Sequence, residues 1–198
     1  MLLNRLEFVL MNNPVRAAIQ RHVEARRLLR LGGPIMGGAA LELGCGRGVG
    51  AAIILDVFGA SSVDAFDLDP RMVARARRRL DPRADVRLWV GDATAIPCPD
   101  ARYEAVFDFG ILHHVPDWRA ALREVRRILK PGGRFYAEEV LAAYLRNPLL
   151  ARLFRHPTHD RFDAEQFVAA VREAGLTPTG EETLGNAFAW FVARREAA

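Results

Sequence analysis

An apolar run, "AALEL", passes without a break into "GCGRGVG", where glycine takes every second position from 44 to 50. No other feature restricts the fold as tightly. Glycine inside regular structure costs roughly 0.5–1 kcal/mol relative to alanine, so this density implies a sharp turn or a close approach of backbone to something else. The run before the glycines reads as a short buried strand. The stretch after them, "VGAAIILDVFG", reads as a helix stopped by Gly59. A glycine turn from strand into helix leaves free backbone N–H groups at the helix start, facing whatever lies across the turn. In open parallel sheets that place lies beyond the carboxyl ends of the strands, where ligands bind. Gly44, Gly46 and Gly48 therefore border a ligand, or they form a tight turn with none.

The remaining chain keeps alternating. Residues 2 to 11 and 15 to 31 predict helices on either side of Pro14. "SVDAFDLD" predicts a second strand, and Pro70 opens the helix "PRMVARARRRL". "VRLWVGDA" and "YEAVFDFG" are the third and fourth strands. A helix capped by Asp117 runs to a stop at Pro131-Gly132-Gly133, and "RFYAEEV" is the fifth strand. Residues 141 to 155 and "DAEQFVAAVREAGL", capped by Asp163, predict two more helices. Residues 177 to 183 and 187 to 194 predict the final strands, and the short link through Gly185-Asn186 makes them an antiparallel hairpin. The expected fold is α/β, a mostly parallel sheet with helices on both faces.

Composition narrows the partners. The chain has 198 residues, enough for one domain with a small appendage. Cys45 and Cys98, its only two cysteines, lack zinc-type spacing and suggest neither a disulfide framework nor a metal site, which suits a cytoplasmic location. "MLLNRLEFVLMNNP" has no small-residue cleavage site and reads as no signal peptide. No apolar run is long enough for a transmembrane span. The formal net charge is +4 and Lys130 is the only lysine, but the arginines are spread over predicted helices beside acids, so nucleic acid is not expected as a partner.

Spacing narrows the ligand. Asp67 ends the second strand 23 residues after Gly44. A carboxylate there can accept hydrogen bonds from both hydroxyls of a ribose, which points to a nucleoside derivative. "GRGVGA" loosely matches a dinucleotide loop, so that ligand stays open. Glu42, two residues before Gly44, would repel a pyrophosphate and favour a ligand with a cationic end. Asp92 in "GDA" ends the third strand, where it can accept from an adenine amino group.

Taken in order, "LELGCGRG", "DLDP", "GDA", "ILHHVPD" and "LKPGG" resemble the class I S-adenosylmethionine-dependent methyltransferases, in the branch that acts on small molecules and is similar to the methyltransferase type 11 domain. The resemblance covers residues 39 to 140 by motif. It implies a Rossmann-like sheet of seven strands with the last antiparallel. It also implies that Gly44, Cys45 and Gly46 pass backbone against the methionine part of the cofactor, with Glu42 holding the loop and the amino group. Asp67 would take the ribose, Leu68 would pack on the adenine, Asp92 and Ala93 would read the adenine edge, and Phe109 would lie beside the methionine part.

His113 and His114, in the loop after the fourth strand, are the candidates for a catalytic base, since histidine titrates near neutrality. Holding the loop is the other role open to them. Glu138 and Glu139 end the fifth strand and should point to opposite faces. The expected organisation is an N-terminal helical cap, 1–36, and a methyltransferase domain, 37–198, with a lid-like segment at 141–162. "NPLLARLFR" in that segment carries an apolar stripe with basic flanks, suited to a packed helix, a lid or a membrane-surface contact. Quinone methyltransferases of this branch usually read "GLRN-V-D" where this chain has "ILHHVPD", which argues against a quinone acceptor; the substrate stays open, with an apolar or amphipathic small molecule the class expected. Two alternatives remain: a non-catalytic nucleoside-binding module, and an enzyme of the same fold using a different cofactor.

Overall fold

The computed structural model describes residues 13–81, 83–145 and 160–197. Its frame is a seven-stranded sheet: β1 Ala39–Leu43, β2 Ser62–Asp67, β3 Val86–Val90, β4 Tyr103–Phe109, β5 Leu129–Val140, β6 Thr177–Leu184 and β7 Phe188–Arg194. The spatial order is β3-β2-β1-β4-β5-β7-β6. Pairing is parallel from β3 through to β5, and β7 runs antiparallel to both β5 and β6. The chain builds outward from β1 to β3, then returns to place β4 on the other side of β1. That reversal opens a crevice at the carboxyl ends of β1 and β4, where the glycine loop lies.

The helices are α1 Pro14–Ile19, continued by a π-helical turn Gln20–Glu24 into α2 Ala25–Gly32, then α3 Val49–Asp56, α4 Pro70–Leu80, α5 Trp118–Ile128, α6 Ala142–Leu145 and α7 Ala164–Glu173. Their starts follow local chemistry. The side chains of Asn13, Asp69, Asp117 and Asp163 each accept a backbone N–H of the first turn, and Asp163 with Gln166 completes a capping box. Successive strand residues point to opposite faces, which divides the core in two. Leu41, Val106 and Phe135 pack with α5 and α7. Ala40, Phe107 and Tyr136 pack with α2, α3 and α4.

Two boundaries differ from the sequence reading. The helix after Asp117 ends at Ile128, and β5 starts at Leu129, ahead of Pro131. The ladder explains this. Leu129 pairs with Tyr103, the register then shifts, and pairing resumes at Arg134 with Ala105, so Pro131, which has no N–H, sits in an irregular stretch, while Gly132 donates instead to the Arg195 carbonyl beyond β7. The helix expected over 141 to 155 is seen as Ala142–Leu145; its remainder, and the helix expected over 2 to 11, lie outside the described residues.

The loop itself is fixed from both sides. The Cys45 N–H donates to the Phe66 carbonyl and the Gly48 N–H to the Cys45 carbonyl, at 2.7 Å each. Gly48 has φ +81°, a left-handed value that lets α3 begin directly behind the turn. Gly50 is needed for a different reason. It lies inside α3, and a Cβ there would overlap the Glu42 carboxyl and crowd the Phe109 ring. Glycine to alanine within a helix normally gains roughly 1 kcal/mol. Here Gly50→Ala is expected to lower stability by about 1–3 kcal/mol in chemical denaturation, as overpacking does. A more stable variant would show that Glu42 does not hold this position.

Candidate functional site

At the carboxyl ends of β1 to β4 lies a cavity of about 430 Å³. Its walls include Gly44, Asp67, Asp92, Phe109 and His114, with Leu68 and Ala93 also on the lining. A smaller cavity, about 80 Å³, lies under the first helical stretch and is walled by Arg16, Gln20, Glu42, Cys45 and Phe109 among others. Gly44 and Phe109 border both, so the two spaces meet at the glycine loop.

Asp67 ties the loop to the end of β2. Its Oδ2 accepts the Gly46 N–H and its Oδ1 accepts the Asp69 N–H, each at 2.9 Å. Each carboxylate oxygen has two acceptor positions, so both keep one for a ligand hydroxyl. Burial raises the Asp67 pKa, partly offset by these two donors. Asp92 turns the chain after β3 by accepting the Thr94 N–H and hydroxyl on one oxygen, Oδ1. Leu68 stands half-exposed on the rim and Ala93 is buried in the wall.

Glu42 is buried between the loop and α3, 2% exposed, and its Oε2 has no hydrogen-bond partner among the described residues. Burial raises its pKa well above the usual range, the neighbouring Asp67 adds to this, and the Ala51 backbone N–H pulls the other way. Burial and the same two acids push the Cys45 thiol up, so it is neither a thiolate nor a nucleophile here.

The structure separates the two histidines. His114 is on the wall of the larger cavity, while His113 lines neither space. The His113 ring is buried and its Nδ1 lies 2.6 Å from Glu139 Oε2, within hydrogen-bond distance. Glu139 also accepts the Leu112 N–H at 2.8 Å and the His113 N–H at 3.3 Å. Burial lowers the His113 pKa to about 4, so the ring stays neutral. Burial and the Glu139 charge raise Asp108 well above the carboxylate range, and its Oδ1 accepts the Ile111 N–H. Glu138 points to the opposite face, where it meets Arg16 at 3.3 Å.

Several of these residues escape a reading of the sequence. Gly50 looks like part of a loose nucleotide motif, yet it makes room for an acid eight positions earlier. Arg16 and Gln20 lie far from every motif. Asp108 is hidden between apolar neighbours, Ala105 to Phe107 on one side and Phe109 on the other.

A family model described as a methyltransferase domain matches residues 40–133. A probable S-adenosylmethionine-dependent methyltransferase of Mycolicibacterium smegmatis is 40% identical over 106 residues, 54% of this chain and 39% of that protein. The 27-O-demethylrifamycin SV methyltransferase of Amycolatopsis mediterranei is 31% identical over 163 residues, 76% of this chain and 58% of that protein. The chain thus spans well under two thirds of the length of either relative. Among solved structures, the putative methyltransferase complexed with the Haloferax volcanii Trm112 activator shares the fold at a TM-score of 0.78 and 21% identity, over 93% of this chain and 94% of that chain. With the seven-stranded sheet and the glycine loop in place, residues 40–133 form a methyltransferase domain of the class I S-adenosylmethionine-dependent family.

Proposed function

We propose that the protein transfers a methyl group from S-adenosylmethionine to a small organic molecule. The observation that carries this reading is the pair of cavities meeting at Gly44 and Phe109, one flanked by Asp67 and Asp92 and the other by the buried, unpartnered Glu42 oxygen. A ligand with a nucleoside at one end and a cation at the other fits that division. Asp67 would hold the ribose hydroxyls, Leu68, Asp92 and Ala93 the adenine, and Glu42, Gly44, Cys45, Gly46 and Phe109 the methionine part. When bound, the cofactor supplies a methyl made electrophilic by the adjoining sulfonium.

The chain then has three tasks: to align the acceptor in line with the methyl and sulfur, to exclude water, and to take a proton if the acceptor carries one. His114 is the residue on the cavity wall suited to the last task. His113 serves as a positioning residue. Neutral and hydrogen-bonded to Glu139, it anchors the turn that presents His114. A small-molecule acceptor is supported by the name of the rifamycin methyltransferase. Residues 1–36 and 141–162 would supply the cover over the acceptor.

The cofactor reading is tested by calorimetry with S-adenosylhomocysteine, using NAD as control. Micromolar binding of the former and none of the latter is expected. Loss of the ribose contacts in Asp67→Ala should weaken binding by about ten- to a hundredfold. A preference for NAD, or an unchanged affinity in the variant, would overturn the reading.

The role of His113 shows in the pH dependence of stability. Its folded pKa is about 4 against an ordinary value of 6.5. Between those values the unfolded chain binds the extra proton and the folded one does not, so the site lowers stability as the pH falls through that window. Glu139, pushed up to about 7 by burial, titrates in the opposite sense, and the glutamine amide of the variant keeps a donor against it so that the lost imidazole is the main difference. The melting temperature of His113→Gln is expected to fall less steeply on acidification than that of the wild type. Parallel slopes would mean that the His113 ring is not held neutral.

A further inference from the structure

The first helical stretch carries its polarity inside out. Val15, Ile19 and Val23 are exposed along one side. Arg16, Gln20 and Glu24, also four residues apart, lie on the other side, toward the sheet. A helix packed on a core normally turns apolar residues inward, and an inward polar row is costly unless it finds polar partners. Arg16 finds two of them: its guanidinium bonds to Glu24 and lies 3.3 Å from Glu138 Oε1. Beyond those contacts, Arg16 and Gln20 face the smaller cavity.

The π-helical turn makes this orientation compatible with the rest of the helix. Arg16 and Ala25 are nine residues apart, about two and a half turns of a regular α-helix, which would put them on opposite sides. Yet Arg16 borders the cavity, and Ala25 and Leu28 are fully buried in the core on the same side of the sheet. The wider turn at Gln20–Glu24 takes back roughly a quarter of a revolution and brings the two faces to within about a quarter-turn of each other, so both can meet the sheet.

Across the cavity stands Glu42 with its unpartnered buried oxygen. A space with a guanidinium on one wall, a carboxyl on the other and an amide beside them matches a zwitterion. The head of an α-amino acid presents its carboxylate to the first and its ammonium to the second. We propose that Arg16 binds the α-carboxylate at the amino-acid end of the cofactor, so that the N-terminal helix is a wall of the cofactor site as well as a cover for the acceptor. The assignment rests on the S-adenosylmethionine reading above. Glu24 and Glu138 hold the guanidinium in place from behind, and its planar fork suits a carboxylate better than a lysine would.

The test compares two ligands by calorimetry: S-adenosylhomocysteine and its decarboxylated analogue, 5′-(3-aminopropylthio)adenosine. The analogue keeps the nucleoside, the sulfur and the amine, and lacks only the carboxylate. The wild type is expected to prefer S-adenosylhomocysteine by at least about tenfold, the scale of a charge-assisted hydrogen bond. In Arg16→Met that preference should shrink to about threefold or less, with binding of the analogue unchanged. Arg16→Lys should retain part of it. A preference that survives in Arg16→Met overturns the assignment and leaves the cofactor reading intact. So does an equal loss of both ligands in Arg16→Met and Arg16→Lys, which would mark a structural role for the helix. A wild type that binds neither ligand overturns the cofactor reading itself.

Discussion

Taking an ionised carboxylate out of water costs several kcal/mol unless donors or cations replace its hydration. At or near the carboxyl ends of β1, β4 and β5, its three middle strands, this sheet buries four carboxyls, Glu42, Asp108, Glu138 and Glu139. Each is met by a donor from a different part of the chain. Glu42 draws on the Ala51 N–H of α3. Asp108 and Glu139 collect the N–H groups of Ile111, Leu112 and His113. Glu138 takes Arg16. The rigid sheet therefore fixes three walls of the site, namely α3 behind the glycine loop, the turn that carries His114, and the N-terminal helix.

Such an arrangement decides what a sequence can reveal. The glycine loop and Asp67 were legible because their roles are local to the backbone: left-handed turns, a strand end, a helix start. The sheet order and the final hairpin were legible because periodicity and link length constrain them. The start of β5 was not, since Pro131-Gly132-Gly133 carries turn chemistry and only the shifted pairing of Leu129 with Tyr103 shows a strand there. His113 and His114 are identical in type and adjacent, and only the position of Glu139 tells them apart. The inward face of the N-terminal helix was not legible for a different reason. Its four-residue spacing was visible in both rows, Val15-Ile19-Val23 and Arg16-Gln20-Glu24. Periodicity gives the two faces of a helix, however, and only the convention that apolar means inward assigns them. That convention fails where the interior holds a polar ligand.

The same acids account for the preference of the site in charge. Burial raises the pKa of both Glu42 and Asp67, and Asp67 adds to the burden on Glu42 because like charges share a poorly hydrated space. A cation placed between them relieves the strain on both, whereas a pyrophosphate would add to it. A dinucleotide loop resolves the same geometry with a neutral strand end, leaving the helix start free to meet phosphate. Here Glu42 lies behind that helix start, and Gly50 is kept small to admit it. Under the proposed function, Glu42 and Gly50, in register across the first strand and its helix, would turn this loop away from phosphate and toward a positively charged donor, with Arg16 opposite them facing the one negative group such a donor carries.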